Sequence, residues 1–151
     1  MIAIYTDGAS RGNPGPGGYG VVMLYGSLRK ELSEGFRLTT NNRMELLSVI
    51  VGLEALKKEG TPVTVYSDSK YVVDAVEQKW VFGWEKKNYK DKKNPDLWMR
   101  FLRIFRKHQV KFVWVKGHHV NKENNRCDEL AVAAALGSDL KIDVGYENSM
   151  D

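Results

Sequence analysis

The sequence predicts an α/β fold in which one mixed sheet carries helices on its faces. Three observations lead there. Three strand-like segments come first, joined by short turns, which is the order of an antiparallel meander. Strand-like and helix-like segments then alternate, which calls for parallel pairing through helical crossovers. The chain of 151 residues, 42% hydrophobic and 28% charged, is one globular domain long enough to enclose a core.

Residues 2–7 alternate apolar and polar side chains and read as a strand. Residues 8–20 hold six glycines and two prolines and read as a loop. Residues 19–25 and 30–38 read as the second and third strands, with Gly26 and Ser27 between them. Residues 43–59 form a helix, because Leu46, Ile50, Leu53 and Leu56 share a face and Gly60-Thr61-Pro62 ends it. A strand over 63–68 and a helix over 69–79 follow, then a basic excursion over 80–96. A helix over 97–108, a strand over 111–115, a loop over 116–124 and a helix over 125–136 complete the order. Residues 1–138 are read as one domain and 139–151 as an acidic, poorly ordered tail, with four acids against Lys141.

The N-terminal residues lack a basic region and a long apolar stretch, so the chain is expected to be soluble and cytoplasmic. No apolar run approaches the roughly 20 residues that a bilayer requires. The single cysteine, Cys127, excludes an internal disulfide and a cysteine-built zinc site, and reads as a small buried side chain. Gly15-Pro16-Gly17-Gly18-Tyr19-Gly20 fits a dinucleotide fingerprint in spacing, but Val21-Val22-Met23-Leu24-Tyr25 continues it as a strand where a fingerprint must open a helix.

The whole net charge of +4 sits in residues 79–93, KWVFGWEKKNYKDKK, with six lysines against Glu85 and Asp91. Lysines neutralise phosphates and aromatic faces stack on sugars or bases, so this stretch is a candidate nucleic-acid surface. The alternative is a solvated helix pair whose tryptophans fill the core.

Four carboxylates stand at predicted element ends. Asp7 and Asp68 end the first and fourth strands; if these are parallel neighbours, both emerge at the carboxyl edge, where α/β sheets bind ligands. Glu45 and Asp128 lie in first helical turns. Each has a plain alternative: Asp7 as a turn residue, Asp68 as a helix cap, Asn42-x-x-Glu45 as a capping box, Asp128 as an acid favoured by the helix dipole. Together, converging carboxylates repel unless a cation shares the site, and hard oxygen ligands suit Mg²⁺ or Mn²⁺. Two such ions can activate water and stabilise a leaving oxygen in phosphoryl chemistry, which points to a metal-dependent nuclease.

The chain resembles the bacterial type 1 ribonuclease H family over nearly its whole length. The resemblance rests on Tyr5-Thr6-Asp7-Gly8, Gly12-Asn13-Pro14-Gly15-Pro16-Gly17-Gly18-Tyr19-Gly20, Thr39-Thr40-Asn41-Asn42-Arg43-Met44-Glu45-Leu46, Ser67-Asp68-Ser69, Asp96-Leu97-Trp98, Val115-Lys116-Gly117-His118 and Asn124-x-Arg126-Cys127-Asp128-Glu129-Leu130-Ala131. It implies a mixed five-stranded sheet, three antiparallel strands then parallel ones, flanked by helices. It implies hydrolysis of the RNA strand of RNA–DNA hybrids with two Mg²⁺ ions, Mn²⁺ substituting, leaving 5′-phosphate and 3′-hydroxyl ends. By the resemblance Asp7, Glu45, Asp68 and Asp128 are metal ligands: Asp7 bridges both ions, Asp128 serves the water-activating ion, and Glu45 and Asp68 the leaving-group ion. His118 matches a histidine that assists proton transfer or product release.

Asn13, Asn41 and Asn42 match residues facing the hybrid's minor groove, where only RNA offers a 2′-hydroxyl. Thr40 and Asn94 match a pocket gripping a DNA-strand phosphate. Trp80 and Trp84 match the channel along that strand, and Lys86, Lys87 and the lysines up to 93 match the basic protrusion. Two departures stand out: Lys70 where close relatives often carry Gln, and a protrusion a few residues short. A monomer binding the hybrid duplex, with no membrane, is expected. The competing classes are a DNA-directed nuclease or transferase of the same fold and a non-catalytic hybrid-binding module.

Overall fold

The structure is a computed structural model and describes residues 1–116 and 121–149. Five strands, β1 (Ile2–Ser10), β2 (Gly15–Tyr25), β3 (Leu28–Thr39), β4 (Pro62–Ser67) and β5 (Gln109–Trp114), form one sheet in the order β3-β2-β1-β4-β5. β1, β2 and β3 pair antiparallel, and β1, β4 and β5 pair parallel, as the segment order predicts. The helices are α1 (Asn41–Glu54), α2 (Lys70–Glu77), α3 (Trp80–Lys86), α4 (Pro95–Phe105), α5 (Lys122–Ala135) and α6 (Val144–Asn148). No helix among the described residues is long and apolar enough to cross a membrane.

α1 packs on β1 and β2 and is covered in turn by α4, so residues 43–50 are all buried. Met44, Leu46, Ile50 and Leu53 meet Ile4, Val21 and Val65 of the sheet and Trp98 and Phe101 of α4 in one cluster. Burying apolar surface in such a cluster stabilises a fold by about 25 cal/mol per Å².

The largest departure from expectation is the glycine-rich stretch. β1 runs on to Ser10 and β2 starts at Gly15, so residues 8–20 are mostly sheet rather than loop. Two of these glycines, Gly18 and Gly20, make room for a helix. A Cβ at Gly18 would stand 2.6 Å from Ala131 O, one at Gly20 2.2 Å from Cys127 O, and one on β3 at Gly35 2.1 Å from Ala134 O. α5 therefore lies with its backbone almost against the sheet, which only glycine allows. Cys127 is fully buried beneath that contact, and burial pushes its thiol up.

Two further elements depart from expectation. The basic excursion contains α3. The described part of the acidic tail is packed rather than loose: Lys141 bridges to Phe36, and α6 is capped by Asp143, whose side chain accepts from Tyr146 N at 3.3 Å.

Candidate active site

β1 and β4 run in parallel register, with Thr6 opposite Ser67. The next residue on each, Asp7 and Asp68, therefore leaves the sheet at the same edge. Glu45 arrives from the other side, on α1, because Gly8 permits it. A Cβ on Gly8 would fall 2.3 Å from Glu45 N and from Met44 C, so the N-terminal part of α1 rests directly on the end of β1. Gly8 N donates to Glu45 Oε1 at 2.5 Å and to Asp7 Oδ1 at 2.9 Å, tying the two carboxylates through one amide.

One carboxylate oxygen each from Asp7, Glu45 and Asp68 lies within 4.8 Å of the others. Asp128, on α5, is outside that trio but close enough that its charge acts on Asp7. The plain alternatives for these acids fall away. The cap of α1 is Thr40, whose hydroxyl accepts from Arg43 N at 3.2 Å, so Asn42 and Glu45 form no capping box. Ser69 caps α2 by accepting from Val72 N, which removes Asp68 from that role. Asn121 caps α5 by accepting from Asn124 N at 2.8 Å, so Asp128 stands in the second turn, beyond the reach of the dipole argument.

Burial and mutual repulsion set the electrostatics of the cluster. Burial, then the charge of Asp68, pushes Asp7 up to about 8. Burial and the charges of Asp7 and Asp68 push Glu45 well above the usual carboxylate range. Asp7 Oδ2 is buried with no hydrogen-bond partner among the described residues. An orphaned buried acceptor amid like charges fits a divalent cation held by oxygen ligands, which would restore the ionised forms.

A groove of about 490 Å³ opens at the N-terminal end of α1, lined by Asn13, Thr40, Asn42 and Asn94 together with Lys92 and Lys93. Asn13 Oδ1 accepts from Asn41 N at 3.0 Å, which joins the β1–β2 turn to the start of α1. Asn13, Asn41 and Asn42 are exposed. A second groove, of about 700 Å³, runs between Trp80, Trp84, Lys87, Lys90 and Lys92. Trp80 is 52% exposed, whereas Trp84 is half-buried and meets Trp98 edge-on at 5.7 Å. One tryptophan is thus chiefly surface and the other chiefly a lid on the core. Lys86 is exposed on α3 but does not line that groove. Lys70 Nζ lies 4.5 Å over the ring of Trp114, parked on an aromatic face at the end of β5. His118 falls outside the described residues.

Sequence reasoning missed the role of Arg43. Its buried guanidinium uses all five N–H groups, on both oxygens of Asp96, both oxygens of Asp143 and Oδ1 of Asn94. Asn94 in turn donates to Tyr71 Oη at 3.0 Å, and Trp98 Nε1 donates to the same hydroxyl at 2.9 Å. The only signal for Arg43 is its place inside the Asn41-Asn42-Arg43-Met44-Glu45 segment, because its partners lie 53 and 100 residues away.

A sequence model of the RNase H family matches residues 1–136. The chain belongs to the RNase H family. It is 58% identical to ribonuclease H of Syntrophus aciditrophicus (strain SB), across 97% of this chain and 87% of that protein. It is 60% identical to ribonuclease H of Desulforamulus reducens, across 95% of this chain and 92% of that one. Among solved structures it is similar to LC9-RNase H1, a type 1 RNase H with the type 2 active-site motif, with TM-score 0.81 and 34% identity over 98% of this chain and 79% of that one. LC11-RNase H1, solved in complex with an RNA/DNA hybrid, gives TM-score 0.68 and 30% identity over 89% of this chain and 96% of that one. The mixed five-stranded sheet and its flanking helices are thus those of the family.

Proposed function

We propose that this chain is a metal-dependent endoribonuclease that hydrolyses the RNA strand of RNA–DNA hybrids, leaving 5′-phosphate and 3′-hydroxyl ends, and that it works as a cytoplasmic monomer. The observation that carries the reading is the convergence of Asp7, Glu45 and Asp68 from β1, α1 and the end of β4 onto one point. A binding module has no need of three carboxylates forced together against their own repulsion. The membership of the RNase H family supports the same substrate class.

Asp7, Glu45, Asp68 and Asp128 are the residues that would hold the metal, Mg²⁺ being the natural hard cation for an all-oxygen set. When bound, two such ions lower the pKa of a water and offset charge on the leaving oxygen. The protein supplies the rest. Asp7, at the centre of the cluster, is held by the Gly8 amide so that its second oxygen stays available. Glu45 is fixed by the same amide. Asn13, Asn41 and Asn42 offer short amides to the 2′-hydroxyls that distinguish RNA from DNA. Thr40 and Asn94, with Lys92 and Lys93, take the backbone of the other strand, while Trp80, Trp84, Lys86 and Lys87 extend that track. Lys70, where an amide would make a groove hydrogen bond, adds phosphate affinity instead. His118 is assigned proton transfer or product release.

The test is a panel of matched RNA–DNA hybrid, duplex RNA and duplex DNA with Mg²⁺, Mn²⁺ or EDTA. Metal-dependent cutting of the RNA strand of the hybrid alone is the expected result. Tight hybrid binding without cleavage would make the chain a binder, and cleavage of duplex DNA would move it to the DNA-directed enzymes of the same fold.

A further inference from the structure

The C-terminal segment is bound into the molecule by more polar interactions than a terminus needs. Its backbone joins β3 through Lys141 N to Gly35 O and Arg37 N to Lys141 O, both 2.9 Å. Asp143 is buried, receives Nε and Nη2 of Arg43 at 2.8 and 2.9 Å, and accepts from Thr39 Oγ1 at 2.7 Å. Glu147 takes a two-bond fork from Arg37 at 2.9 and 2.8 Å. Both acids are thereby turned to cations on the β3 and α1 side. The described residues that the segment presents to the groove of Asn13, Thr40, Lys92 and Lys93 are neutral: Tyr146 and Ser149. A wall facing a polyanion has to be free of unpaired carboxylates, and among the described residues that line the groove there is none.

The same clamp governs the other wall. Arg43 sits three residues after Thr40 and donates to Asn94 Oδ1 at 3.3 Å, while its guanidinium is shared between Asp96 and Asp143. Removing the Asp143 carboxylate would leave the Nε–H of a buried cation unpaired and loosen the hydrogen bond that sets Asn94 against Thr40.

We propose that the C-terminal segment is part of the substrate site: Tyr146 contacts the DNA-strand backbone in the groove by its hydroxyl to a phosphate, and Asp143 is a positioning residue that acts through Arg43 on Thr40 and Asn94. The inference rests on the proposed hybrid substrate and goes beyond it by assigning residues 143 and 146. Ser149 already donates to Tyr146 O at 2.6 Å, so it shapes the wall rather than binding.

The test uses the full chain in four forms: unaltered, Tyr146→Ala, Tyr146→Phe and Asp143→Asn. Steady-state cleavage is measured on hybrids whose DNA strand carries one neutral methylphosphonate, moved position by position. Tyr146→Ala should raise KM about fivefold, the worth of one ordinary hydrogen bond, with kcat within about twofold. Tyr146→Phe separates hydroxyl from ring. Asp143→Asn should raise KM by a similar factor at temperatures well below its melting transition. At one methylphosphonate position the unaltered chain should lose affinity while Tyr146→Ala loses nothing further, and that coupling is a readout a merely structural role would not move. Equal KM for all four forms, or penalties that add at every position, would overturn the proposal. Cleavage of the unmodified hybrid by the unaltered chain is the control, since its failure indicts the functional reading rather than this one.

Discussion

The carboxylate cluster and the basic protrusion are built on opposite principles. The cluster draws its three members from elements far apart in sequence, buries Asp7 and Glu45 with Asp68 half-buried beside them, and locates them by strand register and by one glycine. The protrusion is contiguous and exposed, and turns through the left-handed conformations of Lys79, Asn88, Tyr89 and Asp91. It is anchored by Val81 and Tyr89, which are buried, and by Trp84 against Trp98. Chemistry on a phosphodiester requires position to within a fraction of an ångström, which only packed backbone provides. Affinity for a polyanion requires charge, which tolerates loose placement and redundancy. Substitutions should therefore have steep, all-or-none effects in the cluster and shallow, additive effects in the protrusion.

The sharpest contrast is expected from Asp7→Asn, which should lower the cleavage rate by roughly a thousandfold, several kcal/mol of transition-state stabilisation, while hybrid binding in a gel-shift assay survives. Gly8→Ala comes next. A Cβ there meets the backbone of Met44 and Glu45, so α1 must shift, and a displacement of about 1 Å costs about a hundredfold in rate. The melting temperature should fall as well, by an overpacking penalty of about 1–3 kcal/mol. Wild-type activity in Gly8→Ala would show that the glycine is not what places Glu45.

A third effect is pH-dependent. In the unfolded chain Asp7 titrates near 4, whereas in the fold it is pushed up to about 8. Between those values the folded state retains a proton that the unfolded state has lost, so metal-free stability falls as pH rises through that window. Mg²⁺ should accordingly raise the melting temperature more at about pH 8 than at about pH 5, and Asp7→Asn should flatten the metal-free pH slope. An equal Mg²⁺ effect at both pH values would break the link between the cluster and the cation.

The smallest single effects belong to the protrusion. Replacing Lys86, Lys87, Lys92 or Lys93 by alanine should change binding a few-fold each, leave kcat alone, and reduce the salt slope by about one for every phosphate no longer neutralised. A salt slope unmoved by the fourfold variant would remove the protrusion from the substrate path.

The succession of strands and helices, the carboxylates at element ends and the lysine stretch are readable from the sequence, because each has a local signature in periodicity, position at an element end, or charge. The stretch around Gly18 and Gly20 reads as loop, because the reason for those glycines is the backbone of α5, more than a hundred residues later. Helix starts fall a few residues from where they are expected because Thr40, Ser69 and Asn121 compete with equally suitable neighbours as caps. The packed tail and the Arg43 hub are illegible for a similar reason: an arginine and an aspartate 100 residues apart carry no sign of each other. Lys70 stands out in the sequence as a departure, but its seat on Trp114 depends on where β5 ends.

The most direct measurement pairs calorimetric titration of Mg²⁺ with hybrid cleavage for the single variants Asp7→Asn, Glu45→Gln and Asp68→Asn. If the three carboxylates form one site, each variant should lose metal binding and RNA-strand cleavage together. A variant that keeps wild-type metal affinity and wild-type rate would take its residue out of the site and contradict the convergence on which the account rests.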